Sequence, residues 1–436
     1  MTRSPIALAA LATLAVPGLD VVATRPPVRT TTDFQTVGVL DSRGHHWVVR
    51  APRTAAAGAS LEGEVALLER LAERVDARDL PFDVERPAGF ATLQGGGRAM
   101  VARELPGRAI DPRDIDESPE LADHLGRALA ALHSLDTDLV GSAGLPVYDM
   151  ATYRARRLTE VDEASRTGNL PAELVHRWEA ALEADDLWPA ASTVVHGDLD
   201  AELVRASGDR VVALSQFGDA HVGDPAEDFA WLVTGVDPET FEQVHGSYAR
   251  HASAPDDPFL LDRAQLASEL LLTRWLMFGL RTRDDAVVGD ARQMLAELAS
   301  DVADAPPIGA EVREILAETA AAAAPVTVVG AAAVPDATDR TLDGDRASEE
   351  PADTAGAALP ADERSVERSE GSTPSEADEP AAGPDGAAAE LDTEAWPAFD
   401  VHPGESPDAP GVPEPTAATA DLTEEYEQWR REGREP

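Results

Sequence analysis

The chain has 436 residues and no cysteine, which excludes iron–sulfur clusters, zinc–thiolate sites, disulfide frameworks and cysteine nucleophiles. Its 36 basic residues, all arginine, face 81 acidic ones, for a net charge of −45. That balance opposes the positive footprint a nucleic-acid backbone needs, while 43% hydrophobic residues suffice for a packed core.

The first segment, MTRSPIALAALATLAVPGLD, is largely apolar from Pro5 to Pro17 and too short to span a bilayer. Ser4-Pro5 makes a good helix start and Pro17-Gly18 a good stop, so Ile6, Leu8, Leu11 and Leu14 predict a short helix covering a neighbouring domain. The same run, followed by Val21-Val22-Ala23, also fits a secretion signal. We take the helix as the expectation, and with it a cytoplasmic protein without a membrane span.

Residues 30–105 predict strands around one helix. Phe34–Leu40 and Trp47–Arg50 flank the turn Asp41-Ser42-Arg43-Gly44 and make a hairpin. A helix follows from about Ser60, with Leu61, Val65, Leu68, Leu71 and Val75 on one face. Phe82 to Phe90 and Arg98 to Leu105 are further strand candidates, the latter running into Pro106-Gly107. Residues 106–325 read as a mainly helical unit, with 3.6-residue periodicity in ADHLGRALAALHSL, AELVHRWEAALEA, AQLASELLLTRWLMFGL and ARQMLAELA. Strand and turn are expected there only at 192–224.

The composition breaks near residue 325. From Ala331 to Pro436 there are 28 acidic residues against 7 arginines, 28 − 7 giving −21, with 13 prolines and four aromatics. Such a segment cannot bury enough apolar surface to offset its backbone entropy, so residues 326–436 read as a disordered acidic tail. Leu422, Tyr426 and Trp429 predict a short helix at 421–431, either a docking element for a protein partner or the transiently helical end of a solvated tail.

The chemistry concentrates at 194–225. Val194-Val195 leads into His196-Gly197-Asp198-Leu199-Asp200. The strand Arg210–Leu214 then leads into Ser215-Gln216-Phe217-Gly218-Asp219-Ala220-His221-Val222-Gly223-Asp224-Pro225. Two short apolar strands thus each end in a turn bearing Gly and Asp, where ligands commonly sit. A carboxylate beside Gly197 is suited to act as a general base, or to cap its own turn.

HGD together with FGDAHVGDPAEDFAWL resembles the aminoglycoside/macrolide phosphotransferase family, small-molecule kinases that share the protein-kinase fold, nearest the macrolide 2′-phosphotransferase branch. The likeness runs from about Ser4 to Ala299 and includes VVRAPR, MVARELPG and ELLLTRWLMFGL; the tail lies outside it. It implies an α+β bilobal fold: residues 1–29 as a lead-in with a helix, 30–105 as a small antiparallel-sheet lobe, and 106–325 as a larger helical lobe. It also implies transfer of a γ-phosphate from ATP or GTP, with Mg²⁺, to a hydroxyl of a macrolide- or aminoglycoside-like small molecule.

By position, Asp198 falls on the catalytic aspartate and His196 on the histidine that supports its loop. Arg50 falls on the base that meets nucleotide phosphates, and Glu64 on the acid that pairs with it. Two positions depart. Where the pattern has HGDLHPGN this chain has HGDLDAEL, so a metal-binding Asn or His becomes Leu203; the metal-binding Asp before Phe-Gly becomes Gln216. Leucine has no ligand atom, and a neutral amide is a poor Mg²⁺ ligand beside phosphates. Asp219 and Asp200 are the candidates to compensate, whereas Asp224 reads as the cap of the next helix.

Three functions remain open: a metal-dependent phosphotransferase, a pseudokinase that binds a nucleotide or metabolite, and an interaction scaffold acting through the tail. For the acceptor there are two weak hints. Asp111, Asp114, Asp116, Glu160, Asp162 and Glu163 would suit a cationic substrate, and Trp275 with Phe278 would line an apolar pocket or face the core.

Overall fold

The computed structural model describes residues 3–26, 31–189, 191–253 and 257–323, so the acidic tail and its expected helix at 421–431 lie outside the described residues. It has the bilobal α+β, protein-kinase-like architecture. In the small lobe β1 (Val21–Arg25), β2 (Phe34–Asp41), β3 (His46–Pro52), β4 (Pro87–Thr92) and β5 (Arg98–Arg103) form an antiparallel sheet in the order β1-β2-β3-β5-β4. The β2–β3 hairpin forms where alternation places it. Asp41 closes its turn, accepting from the backbone N–H of Arg43 at 2.9 Å and of His45 at 2.8 Å.

Helix α1 (Pro5–Ala15) starts as its sequence predicts, with Ser4 capping the N–H of Ala7 at 3.2 Å. It buries Leu8, Ala9 and Ala12 against Val37, Val39, Trp47 and Val49 of the sheet. Three residues of the apolar run thus belong to the small lobe's core, whereas Ile6 and Leu14, expected on the covering face, are 78% and 76% exposed. Helix α2 (Ala55–Ala77) begins five residues before the expected Ser60, because Thr54 supplies a cap that the alanine-rich first turns accept without any apolar stripe. Leu61, Val65, Leu68 and Leu71 are buried as the periodicity predicts.

Phe82 to Phe90 is not one strand. Asp83 docks beside the helical lobe's sheet, donating to the Val212 carbonyl at 2.8 Å and accepting from the Leu214 N–H at 3.1 Å; β4 begins only at Pro87. A proline has no N–H to give the ladder, so it belongs at a strand's first position.

After Pro106-Gly107, β6 (Arg108–Ala109) pairs with β8 (Val204–Ser207), which pairs with β9 (Arg210–Leu214). A second pair joins β7 (Thr193–Val195) to β10 (His221–Gly223). The short β6 carries no alternation and is not foreseen by the sequence. Around these ribbons lie α3 (Pro112–Glu117), α4 (Pro119–His133), α5 (Asp138–Ser142), α6 (Met150–Arg166), α7 (Ala172–Glu183), α8 (Leu232–Gly235), α9 (Pro238–His251), α10 (Leu260–Thr282), α11 (Asp285–Asp301) and α12 (Ala310–Ala323).

The main core runs from Leu67, Leu68 and Leu71 of α2 through Leu125 and Leu129 of α4 to Leu214, Phe217 and Phe229. It therefore spans both lobes and holds the loops between β7 and β10 from behind. A second core packs Trp178 of α7 against Leu270, Trp275 and Leu276 of α10 and Leu295 of α11. Trp275 stacks on Phe278 at 5.4 Å and donates to Asp290 at 3.0 Å, so it faces the core and not a substrate pocket.

Candidate active site

The loop between β7 and β8 is fixed by one buried carboxylate. Asp228 accepts from the N–H of His196 at 2.8 Å, from the N–H of Gly197 at 2.9 Å and from His133 Nε2 at 3.0 Å. Tyr248 Oη lies 3.1 Å from the other nitrogen of His133. Burial alone would raise the Asp228 carboxyl; the hydrogen bond and charge of His133, with His196, hold it below the ordinary aspartate value. His196 is fully buried and its Nε2 donates to the Ser215 carbonyl at 2.9 Å, joining this loop to the turn after β9.

Gly197 has φ +84°, and a Cβ there would meet the Asp219 carbonyl oxygen at 2.3 Å. Only glycine permits that approach. Asp198 follows it, half-buried, on the loop segment pressed against the Asp219 turn.

On the other side of the cleft, Arg50 of β3 donates to Glu64 of α2 at 2.6 Å, and both are buried. Burial opposes the Arg50 charge, but Glu64, aided by Glu85 and Asp219, outweighs it. The Arg50 guanidinium also lies over the Phe34 ring at 4.4 Å. Glu64 Oε2 is buried without a hydrogen-bond partner among the described residues, 3.5 Å from where a Cβ on Gly218 would sit.

Glu85 completes this corner and was not singled out by the sequence. It accepts from the N–H of Gln216 at 3.1 and 3.3 Å, and burial, then the charge of Glu64, pushes its carboxyl up to about 7 against the pull of Arg50. Asp219 is likewise raised, by burial first and by Glu64 second, with His196, His221 and Arg274 opposing. Glu64 is thus the carboxylate bonded to Arg50, while Glu85 and Asp219 act on that guanidinium through charge alone.

The two departures can now be located. Leu203 is 1% exposed and belongs to the main core, turned away from the cleft. Gln216 holds a left-handed backbone, φ 64° and ψ 62°, pinned by Glu85. Asp200 Oδ1 accepts from the N–H groups of Glu202 at 2.8 Å and Leu203 at 3.2 Å, so it caps its own loop. Among the described residues no group of three or more His, Asp or Glu side chains is arranged to hold a metal ion. The residues present therefore do not fit the family's usual Mg²⁺ site, and Glu64 Oε2 is a buried carboxylate oxygen without a partner among the described residues.

The cleft itself holds a cavity of about 80 Å³ lined by Arg50, Glu85, Met100, Glu104, Glu202 and Gln216, among others. Asp198 is not part of its lining. Most of the acids proposed for a cationic substrate are committed within the fold. Asp111 and Asp114 form a capping box with Asp114 also paired to Arg108, Asp116 accepts from the Asp237 N–H, and Glu160 and Asp162 pair with Arg157 and Arg166. Asp224 caps the turn after it, as expected, and also pairs with the buried Arg263 at 2.9 and 3.0 Å.

Two lobes, a buried Arg–Glu pair within the small lobe and an HGD loop in the larger one define a kinase-like protein. The family model described as "Phosphotransferase enzyme family" matches residues 24–267, and the chain belongs to that family. Over 206 residues it is 28% identical to the uncharacterized protein YcbJ of Bacillus subtilis (strain 168), covering 46% of this chain and 67% of that one. Among solved structures it is similar to macrolide 2′-phosphotransferase MphH from Brachybacterium faecium, at 24% identity and TM-score 0.54 over 64% of this chain and 93% of that one. It is also similar to wild-type aminoglycoside 2′-phosphotransferase-IIIa in its GDP complex, at 17% identity and TM-score 0.59 over 69% and 99%. Likeness at these identities establishes the fold, and the chain stands at low identity to both branches.

Proposed function

We propose that the chain is a nucleotide-binding pseudokinase of the phosphotransferase enzyme family. The observation that carries this is the fate of the two metal-ligand positions: Leu203 is built into the core and Gln216 is a neutral residue pinned through its backbone. Phosphoryl transfer rests on charge neutralisation and alignment, so a base such as Asp198 accomplishes little without them. Arg50, anchored by Glu64, would meet the phosphates of a bound nucleotide, while Asp198 and His196 keep the form of the ancestral catalytic loop. The ligand of the helical lobe would be a hydroxyl-bearing small molecule, macrolide- or aminoglycoside-like after the named relatives. Selection of a cation by the acids of that lobe is disfavoured, since most of them are already paired. A cytoplasmic setting suits a nucleotide site, and the tail remains the candidate contact for a protein partner.

Calorimetric titration of ATP and GTP, with Mg²⁺ and with EDTA, tests the proposal. Similar binding under both conditions, with no phosphorylated product from a pooled macrolide, aminoglycoside and sugar-alcohol screen, is expected. Mg²⁺-dependent tightening together with turnover would sink it. A second reading is favoured by the partnerless Glu64 Oε2: Asp219 holds the metal and transfer survives. In that case both the Mg²⁺ effect and product should vanish in Asp219→Ala, and product in Asp198→Ala.

A further inference from the structure

Val48, Met100, Ala102 and Leu105 form apolar walls at the end of the cleft where β5 leads into Pro106-Gly107, a surface suited to a flat ring. The cavity they line also takes in Arg25. Arg25, the last residue of β1, pairs with Gly38 of β2 and lays its side chain across that glycine. A Cβ on Gly38 would meet Arg25 Cγ at 3.0 Å and Nε at 3.2 Å, so the missing side chain is what lets the arginine in.

The guanidinium ends just after β5, where Arg25 Nη2 donates to Glu104 Oε2. Glu104 is itself held. Its N–H donates to the His46 carbonyl at 3.1 Å, and its carboxylate lies 3.6 Å from His46 Nδ1 and 3.9 Å from Arg205 Nη2. With Arg25 in place the cavity is about 80 Å³. Pockets that enclose ligands of comparable size to a nucleotide measure roughly 300–1,000 Å³. Among the described residues Arg25 Nε is buried with no hydrogen-bond partner, so there the side chain is incompletely satisfied. A purely structural ion pair gains nothing from leaving a donor stranded in a ligand slot.

We propose that Arg25 is an internal competitor for the nucleotide base: latched to Glu104, it fills the base slot, and a nucleotide enters only when that pair opens. This rests on the nucleotide-binding reading above. The apparent affinity is then the intrinsic affinity scaled by the fraction of molecules with the latch open.

Full-length wild type, Arg25→Ala and Glu104→Gln should be titrated calorimetrically with ADP and with GDP in EDTA, and with inorganic tripolyphosphate as a base-free probe. Thermal melting of each confirms folding, and Glu104→Gln keeps side-chain size should Arg25→Ala disturb β1. Both variants are expected to bind nucleotide about tenfold more tightly, or about 1.4 kcal/mol, with no gain for tripolyphosphate. Equal nucleotide affinity in all three proteins would overturn the latch and leave the nucleotide site standing. Weaker binding in both variants would overturn it too, by making the pair a ligand contact. No nucleotide binding by any of the three would remove the nucleotide reading and the latch together.

Discussion

Two buried acid sites lie on either side of the Asp198 loop, and they are balanced in opposite ways. Asp228 receives three donors, and its carboxyl sits below its ordinary value despite burial. Glu64, Glu85 and Asp219 act on Arg50; two of the three are raised and the third has a stranded oxygen. The chemical group is the same, and what differs is the supply of donors. A buried charged carboxylate without donors costs several kcal/mol, and in this corner two carboxyls answer with raised values. The Asp228 site holds the loop, and the Arg50 corner is the one the proposed nucleotide-binding reading assigns to phosphates.

Breaking the balanced site should cost most. Asp228→Ala strands two backbone N–H groups and His133, and should destabilise the chain by about 3–5 kcal/mol, measured by urea unfolding. A loss under ~1 kcal/mol would mean the loop does not depend on it. Restoring the lost metal position comes next. Leu203→Asn puts an amide into the main core and should cost about 3 kcal/mol. Combined with Gln216→Asp, and compared with the parent, it also asks whether Mg²⁺-dependent turnover is gained. A cheap Leu203→Asn substitution would show that this side chain can reach the cleft.

The unbalanced corner has a pH signature. Glu85 titrates near 7 in the folded chain, against 4.5 for an ordinary glutamate. The folded state therefore holds the extra proton between those values, and this stabilisation is complete below about 4.5 and lost as pH rises through 7. The raised Asp219 acts in the same direction, and the raised His221 adds its own loss at higher pH. Comparison of wild type with Glu85→Gln isolates the first contribution, because the amide oxygen still accepts from Gln216. Between pH 5 and pH 8 the wild type should lose about 2 kcal/mol more than the variant. Parallel unfolding curves would mean that Glu85 is charged throughout.

The sequence made the hairpin of β2 and β3 legible because alternation and the Asp41–Gly44 turn agree, and α4, α7 and α10 because one face of each is apolar. The first turns of α2 were hidden, since Ala55 to Ala59 carries helix propensity without an amphipathic stripe. In the site, position along the chain pointed to Arg50 and Glu64, which are in contact. Nothing marked Glu85: its weight comes from Gln216, 131 residues later, and from burial that no local pattern encodes. Asp228 was visible only as an acid in a first helical turn; its contacts with His196 and His133 lie 32 and 95 residues away.

The smallest expected effect discriminates between two uses of one residue. Asp200 stands within a few residues of the lost metal ligand and has the right chemistry to replace it, yet its Oδ1 closes a turn onto Glu202 and Leu203. If that is its whole role, Asp200→Ala should cost about 1 kcal/mol, and Asp200→Asn, whose amide oxygen accepts the same N–H groups, should recover most of it. Nucleotide affinity should respond to Mg²⁺ in these variants as it does in the wild type. A metal ligand behaves otherwise, because exchanging the anionic oxygen for an amide preserves the turn and weakens Mg²⁺ coordination. Asp200→Asn therefore separates the two: wild-type melting with an altered Mg²⁺ response would return Asp200 to the cleft, and wild-type behaviour in both leaves it as the cap of its loop.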